Sequence, residues 1–313
     1  MTNSPKTVHF LPELEAATGK FDFPMTNDYM FRAVLQSNNK ALTGLISSLL
    51  HIPPEAIFSV EVTNPIILGD ACQDKEIRLD INVVLNNRKL INLEMQVERN
   101  ANWADRSLVY LCRNLDSLLK GQDYCDTLPV IHIGILDFTL FKGEPEFYAT
   151  NKFMNTRTHK IYSDKLTLHV LDLRHTELAT EEDKAWGIDH WAELFKATTW
   201  EGLKMIAQNS EYMAEASNSI FRMNADDMMR KRCLDREEYY RDIRGWKKQI
   251  EEQTTKIEEL DTEIEEQAAQ IEEKDAQIEE MRTELADTKA TMAEMQAENA
   301  LLRKQLESSN RKV

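Results

Sequence analysis

Glu76-Ile-Arg-Leu-Asp80-Ile-Asn-Val-Val84 is followed by Leu90-Ile-Asn-Leu-Glu94-Met-Gln96-Val97, and the two stretches predict neighbouring β-strands. The polar turn Asn86-Asn87-Arg88 lies between them. Because side chains alternate along a strand, each strand has one apolar face and one polar face. The polar faces carry Asp80 on the first strand, and Glu94 and Gln96 on the second. This pattern is typical of a small divalent-metal site.

The register of the hairpin tests this interpretation. Residues that pair directly across a hairpin share a face, so Asp80 and Glu94 face together if the pairing is centred on Asn87. Such centring requires a turn of odd length, for example Asn86 to Arg88, or else a bulge. A solvated outer sheet face explains the same polar residues without any metal, and the spacing alone leaves both interpretations open.

The rest of the chain predicts a mixed α/β core with helices covering a sheet. Residues 1–20 are expected to form a flexible N-terminus, residues 21–180 the α/β domain, and residues 181–246 a helical extension. The apolar run Leu128–Leu136 is typical of a central strand that is buried on both faces. A later strand, Leu166–Leu173, is expected nearer an edge.

Residues 247–308 predict a coiled coil. Apolar residues recur every seven positions from Ile250, and Asn299 continues the series. This segment contains no Pro, Gly or aromatic residue. β-Branched residues at the core positions and a single Asn favour a parallel dimer. A single solvated helix does not require a phased seven-residue repeat.

Charge and composition limit the classes of function. The 313 residues carry a net charge of −16. Residues 247–307 contribute −10 of it, from 18 Asp/Glu and 8 Lys/Arg residues. This acidity argues against nucleic-acid binding over the whole surface, so any DNA contact requires a local basic patch. No apolar stretch is long enough to span a membrane, and the first residues lack the apolar core of a secretory signal, so we expect neither a membrane span nor a signal. The four scattered cysteines are expected to be core thiols of a cytoplasmic protein.

Several motifs in order give the chain a resemblance to a known family. They are Thr26-Asn-Asp28-Tyr-Met-Phe31, Lys75-Glu-Ile-Arg-Leu-Asp80-Ile, Ile91-Asn-Leu-Glu94-Met-Gln96, Arg106-Ser-Leu-Val-Tyr110, Gly121-Gln-Asp-Tyr124 and Leu128–Phe141. With these motifs, residues 22–145 resemble the PD-(D/E)XK nuclease family transposases, also called recombination-promoting (Rpn) nucleases. The resemblance implies a restriction-endonuclease-like αβββαβ core, here followed by helices and the coiled coil.

The resemblance also implies a chemistry, which is Mg²⁺-dependent (or Mn²⁺-dependent) DNA cleavage. It implies that Asp80 and Glu94 are metal ligands and that Gln96 stands where many relatives carry a Lys. Asp28 matches an acidic position of the first helix and is expected to complete the catalytic set, although a favourable interaction with the helix dipole explains it equally well. Mg²⁺ prefers carboxylate and water oxygens and often takes only one or two protein carboxylates.

Arg106 and Tyr110 are four residues apart, hence on one face of a predicted helix. They are candidates for contact with DNA or with the edge of the active site, and a packing pair is the alternative. We therefore expect a metal-dependent DNA endonuclease that forms a homodimer through its coiled coil. The alternatives are a binding or scaffold protein whose nuclease fold does not cut, and an enzyme that also catalyses strand transfer.

Overall fold

The computed structural model of the protein describes residues 8–65, 80–99, 102–116, 123–208 and 210–310, with side chains up to residue 304. Its helices are α1 (Pro12–Ala16), α2 (Asp28–Ser37), α3 (Asn39–Leu50), α4 (Trp103–Leu115), α5 (Glu181–Ala185), α6 (Ile188–Lys196), α7 (Trp200–Ala207), α8 (Glu211–Ala225) and α9 (Asp227–Asn310). Its strands are β1 (Val60–Val62), β2 (Ile81–Leu85), β3 (Lys89–Gln96), β4 (Val130–Leu136), β5 (Tyr148–Lys152) and β6 (Leu166–Asp172).

The six strands form one mixed sheet in the order β1-β2-β3-β4-β6-β5. The pairs β1/β2, β2/β3 and β5/β6 are antiparallel, whereas β3/β4 and β4/β6 are parallel. The chain therefore follows the predicted helix–three strands–helix–strand order, and the predicted mixed α/β fold is confirmed. The first part of the predicted β2 strand, residues 76–79, lies outside the described residues.

The turn between β2 and β3 has the odd length that a shared face requires. Leu85 pairs with Lys89 and Ile81 pairs with Leu93, so the pairing is centred on Asn87. Asn86 and Asn87 both have φ of 53°, a left-handed conformation that Asn tolerates better than most residues. The predicted register is confirmed.

Helix α4 connects the parallel strands β3 and β4 and covers one face of the sheet. Trp103, Ser107 and Leu111 form its buried side. The Trp103 ring lies directly over Gly134 of β4, where any larger residue would overlap it. Every residue of β4 is buried, which confirms the prediction of a central strand covered on both faces.

The other face of the sheet carries the main hydrophobic core. Helices α2, α3, α6 and α8 contribute large buried side chains to it, including Phe31, Leu45, Trp191 and Ile220. Asn27 caps α2, because its side-chain oxygen accepts hydrogen bonds from the backbone N–H groups of Tyr29 and Met30 at 3.2 Å. The cap satisfies two backbone N–H groups that the first turn of α2 leaves without an intrahelical acceptor.

The structure adds detail to three sequence-based expectations. Residues 12–16 of the expected flexible N-terminus form α1, and Leu14 is fully buried in the core. Strand β6 lies nearer an edge than β4, as expected, but β5, which the sequence pattern did not reveal, pairs on its outer side and forms the edge itself. Residues 181–241 belong to the same compact unit as the sheet, since α6 and α8 supply part of its core.

Residues 242–313 form a second unit. Its described part is helix, and the seven-spaced apolar side chains from Ile250 to Met292 are exposed in the single chain. Within the described part of the chain, no helix is both long and apolar enough to cross a membrane. The expectation of core thiols holds for Cys233 and is wrong for Cys112 and Cys125, which are exposed, while Cys72 lies outside the described residues.

Candidate active site

The candidate site lies on the face of the sheet that α4 covers. Asp80 immediately precedes β2, and continuing the register by one residue beyond the Ile81–Leu93 pair brings it opposite Glu94. Residues paired in this way project from the same face of the sheet. The negative charge of Asp80 is close enough to act on the protonation of Glu94. The two predicted metal ligands are thus adjacent.

Asn92 joins the two strands at this point. Its amide Nδ2 donates to Oδ2 of Asp80 at 2.8 Å and to Oδ1 of Asn82 at 2.7 Å. Asn92 is almost completely buried, and it precedes Glu94 by two positions on the same face of β3. The amide therefore fixes the orientation of the Asp80 carboxylate beside Glu94.

The Glu94 carboxyl group is buried beneath α4. Burial raises the pKa of Glu94 to about 7, with the charge of Asp80 acting in the same direction and the guanidinium of Arg106 opposing both. Within the described residues, Oε2 of Glu94 has no hydrogen-bond partner of normal geometry. The indole N–H of Trp103, which also has no such partner, is nevertheless close enough to lower the pKa of Glu94 somewhat. A desolvated carboxylate oxygen without a donor is suited to bind a cation.

Arg106 of α4 contacts two of the predicted site residues. Its Nη2 donates to Oε1 of Glu94 in an ion pair and to Oε1 of Gln96 at 2.5 Å. Nε2 of Gln96 donates in turn to the backbone oxygen of Glu98 at 3.0 Å. Tyr110, one turn further along α4, lies 5.8 Å from the Arg106 guanidinium, measured to its ring centroid. Arg106 and Tyr110 therefore both lie at the border of the site.

His132 is an addition that the sequence pattern did not single out. It is completely buried on β4, in register with Asn92, and its Nε2 lies 3.7 Å from Oε2 of Glu94. Burial, helped by the charge of Arg106, lowers the pKa of His132 to about 4, so the ring is neutral at physiological pH. A histidine inside an otherwise apolar strand was the available signal for this position.

Arg32 is the second addition, and it holds the backbone at Asp80. This fully buried side chain of α2 donates to the carbonyl oxygens of Asp80 and Asn64. The amide of Asn64 also donates to the Asp80 oxygen at 3.0 Å and accepts from the backbone N–H of Asn82 at 2.8 Å. Burial lowers the pKa of Arg32 to about 10. A lone Arg among the apolar residues of α2 was its signal in the sequence.

Asp28 has a different set of partners. Its carboxylate accepts hydrogen bonds from Nε of Arg236 at 2.9 and 3.0 Å and from the Tyr240 hydroxyl at 2.5 Å. Both partners lie in the first turns of α9. The contacts described for Asp28 do not join it to Asp80 or Glu94, and its catalytic role stays a prediction.

The donor set at the site is small. Within the described residues, no three His, Cys, Asp or Glu side chains are grouped so that they could hold a metal ion. The pair Asp80 and Glu94, with the unpartnered Oε2 of Glu94, nevertheless fits a cation that keeps most of its ligands as water. A hydrated Mg²⁺ ion has this preference.

Comparison with known protein families gives a match. The model of the family described as "PD-(D/E)XK nuclease family transposase" matches residues 25–253, more than half of the chain and all of the sheet and site described above. No curated protein and no solved structure gives a significant match. The chain belongs to the PD-(D/E)XK nuclease transposase family.

Proposed function

We propose that the protein is a Mg²⁺-dependent DNA endonuclease related to the recombination-promoting nucleases. The observation that carries the proposal is the register of the β2–β3 hairpin, which brings Asp80 opposite Glu94 in a chain of a nuclease family. Divalent metals are in general use in this family. Asp80 and Glu94 would hold the ion, with Mn²⁺ as a substitute.

A bound Mg²⁺ ion lowers the pKa of its water and stabilises negative charge on the scissile phosphate. The protein residues supply the positioning. Asn92 orients Asp80 through the 2.8 Å hydrogen bond, and Arg32 fixes the main chain from which Asp80 projects. The amide of Gln96 can orient a water molecule, but unlike a neutral Lys it does not act as a general base.

Arg106 has two roles in this proposal. In the metal-free protein its guanidinium neutralises Glu94, which reduces the cost of burying that carboxylate. If Asp80 and Glu94 held a cation, the Arg106 guanidinium would no longer be needed to balance Glu94 and would be free to bind a DNA phosphate, the group for which its planar fork is best suited. Tyr110 lies beside it as the second DNA-contact residue.

A supercoiled-plasmid assay with Mg²⁺ or Mn²⁺ tests the proposal. We expect Asp80→Asn and Glu94→Gln each to lower nicking by at least about 100-fold, because each removes one charged ligand. Glu61→Gln is the matched control, since Glu61 is an exposed carboxylate on the neighbouring strand β1. Undiminished nicking by both site variants would overturn the assignment.

The proposed working form is a dimer. Cutting both strands of a duplex requires two active centres or two successive reactions at one centre. The exposed heptad side chains from Ile250 to Met292 support pairing of two chains through a parallel coiled coil, which would bring two nuclease units to one DNA molecule.

One observation favours a second candidate function, a binding or scaffold protein with a nuclease fold that no longer cuts. Arg106 already supplies a positive charge to Glu94 and a hydrogen bond to Gln96, so a cation must compete with it. Titration calorimetry separates the two candidates. Mg²⁺ binding that is lost in Asp80→Asn supports the endonuclease, and no measurable Mg²⁺ binding by the wild-type protein supports the scaffold.

A further inference from the structure

From Lys152, the last residue of β5, the chain continues as a short antiparallel ribbon that precedes β6, residues 152–162, which we call the arm. The backbone N–H of Tyr162 donates to the carbonyl oxygen of Phe153 at 3.0 Å, and the backbone N–H of Asn155 donates to the carbonyl oxygen of Lys160 at 2.9 Å. Between these two bonds, Met154 and Ile161 form an antiparallel β-bridge. The side-chain Oδ1 of Asn155 also accepts hydrogen bonds from the backbone N–H groups of Arg157 and Thr158, both at 3.0 Å. The arm is therefore an ordered structure with a defined register.

The arm exposes a pair of aromatic rings. Phe153 and Tyr162 are opposite each other in the ribbon, with ring centroids 5.2 Å apart and ring planes 84° apart. Phe153 is 59% exposed and Tyr162 is 80% exposed. Two adjoining aromatic side chains held in fixed positions and left in water indicate a binding surface rather than core packing.

The same ribbon is basic within an acidic protein. Lys152, Arg157 and Lys160 are exposed, and residues 151–162 include no Asp or Glu. Among the described residues these three cations form no ion pair. By alternation from Phe153 and Asn155, Lys160 lies on the face that carries the two rings. In a chain with a net charge of −16, such a group of unbalanced cations is the kind of local basic patch that DNA binding requires.

We propose that the arm binds the single-stranded or unpaired part of a DNA substrate, with its cations on the phosphates and with Phe153 and Tyr162 stacked on the bases. The choice of DNA as the ligand rests on the proposed nuclease function. The existence of a binding surface is argued independently, from the exposed rings and cations of the arm. Unpaired bases are the partners that fit, because exposed rings gain stacking energy only from bases whose faces are free. In an intact duplex those faces are already covered.

Fluorescence anisotropy with a labelled 20-nucleotide single strand, and with the same sequence as a duplex, tests the proposal. The full chain is used with Asp80→Asn in every sample and with EDTA, so that binding is measured without cleavage. We expect the double variant Phe153→Ala/Tyr162→Ala to weaken single-strand binding by about tenfold or more and to leave duplex binding little changed. Circular dichroism checks that the fold is kept.

The charge contribution is measured from the salt dependence. Lys152→Gln/Arg157→Gln/Lys160→Gln is expected to reduce the slope of log affinity against log salt by about 2 for the single strand. The matched control is Lys20→Gln/Arg222→Gln/Lys231→Gln, three exposed cations that lie outside the arm. We expect the control to keep the wild-type slope within about half a unit.

Several results would overturn the proposal. The first is that the parent protein does not bind the single strand, and the second is that the arm variants bind it as tightly as the parent does. The third is that the control variant Lys20→Gln/Arg222→Gln/Lys231→Gln lowers the salt slope as much as the arm variant does. The fourth is that the arm variants change the sedimentation coefficient without changing the affinity for DNA. The plasmid assay is read separately. Nicking that does not depend on Asp80 contradicts the active-site assignment but not the proposed role of the arm. Unchanged single-strand binding by the arm variants contradicts only the proposed role of the arm.

Discussion

Arg236 donates from Nε to the carboxylate of Asp28 at 2.9 Å, across 208 positions of sequence. Asp28 is buried, and three-quarters of the Arg236 side chain is covered as well. The pair joins the start of α2 to the start of α9 within one compact unit. A structural role therefore accounts for Asp28 without any role in catalysis.

We expect Asp28→Asn to destabilise the protein by about 3 kcal/mol, because it leaves Arg236 covered and without its counter-charge. Urea unfolding measures this change. The control is Asp22→Asn, which breaks the exposed pair between Asp22 and Arg230 and is expected to cost less than about 1 kcal/mol. A stable Asp28→Asn protein that no longer nicks plasmid would instead support the catalytic role predicted from the sequence.

Gly134 sets how closely α4 approaches the sheet. A methyl group at this position would overlap the Trp103 ring, so Gly134→Ala is expected to push α4 outwards and to cost about 1–3 kcal/mol. Plasmid nicking should fall as well, because α4 carries Arg106 and Gly134 pairs in register with Glu94. Gly143→Ala is the control, since a methyl group there meets no other atoms. Wild-type stability and nicking in Gly134→Ala would show that α4 is not held by this contact.

If the coiled coil holds the dimer together, charged residues at its core positions should separate the two chains. Ile264→Lys/Ile271→Lys places two cations in the predicted dimer seam and is expected to convert the dimer to a monomer in analytical ultracentrifugation. Ala269→Lys/Ala276→Lys adds the same charge on the outer face of the same heptads and should leave the dimer intact. In the plasmid assay, the monomer should give nicked circles with a smaller share of linear product. If the intact chain already sediments as a monomer, the dimer proposal is wrong.

We expect the buried side chain of His169 to make the folded protein less stable in acid. Tyr148 and Thr150 contact its Nδ1 at 3.0 and 3.1 Å, and burial lowers its pKa to about 4, with the charges of His51 and Lys152 acting in the same direction. A histidine whose folded pKa is depressed below the unfolded value of about 6.5 contributes stability above pH 6.5 that is lost as the pH falls towards 4. The full change is roughly 3 kcal/mol.

Urea unfolding at pH 7.5 and pH 4.5 measures this effect. We expect His169→Gln to narrow the difference in unfolding free energy between the two pH values, while His190→Gln, at a more exposed histidine, leaves it unchanged. His132 contributes a dependence of the same sign, so the variant reduces the acid sensitivity without abolishing it. Equal sensitivity in His169→Gln and the wild type would contradict the buried neutral state of His169.

The sequence predicts the carboxylate pair because strand alternation is a local property. Once β2 and β3 are recognised, the relation of Asp80 to Glu94 depends only on the length of the turn between them. The partners of these residues are not local. Arg32 reaches Asp80 from α2, and Asn64 reaches it from the end of β1, and no periodicity in the sequence reveals such contacts.

The same reason explains the missed elements. Strand β5 consists of Tyr148-Ala-Thr-Asn-Lys152, which has little apolar alternation because it lies at the sheet edge and its second half is exposed. Helix α1 is too short for periodicity to detect, and Leu14 alone anchors it in the core. Asp28 has two roles that are equally consistent with its position at a helix start, and the choice between them depends on Arg236, which is distant in sequence.

The Asn86–Arg88 turn implies that this protein should tolerate substitutions and length changes very differently at the same place. An exchange of Asn87 for Gly or Asp leaves the inward and outward positions along β2 unchanged and costs little. Asn86 is different, because its side-chain amide is hydrogen-bonded to the backbone of Ala56, Phe58 and Ser59. Insertion or deletion of a single residue there exchanges the two faces of one strand relative to the other, unless a bulge absorbs it. In a library of single-codon insertions and deletions, this surface turn should therefore be as sensitive as the buried core.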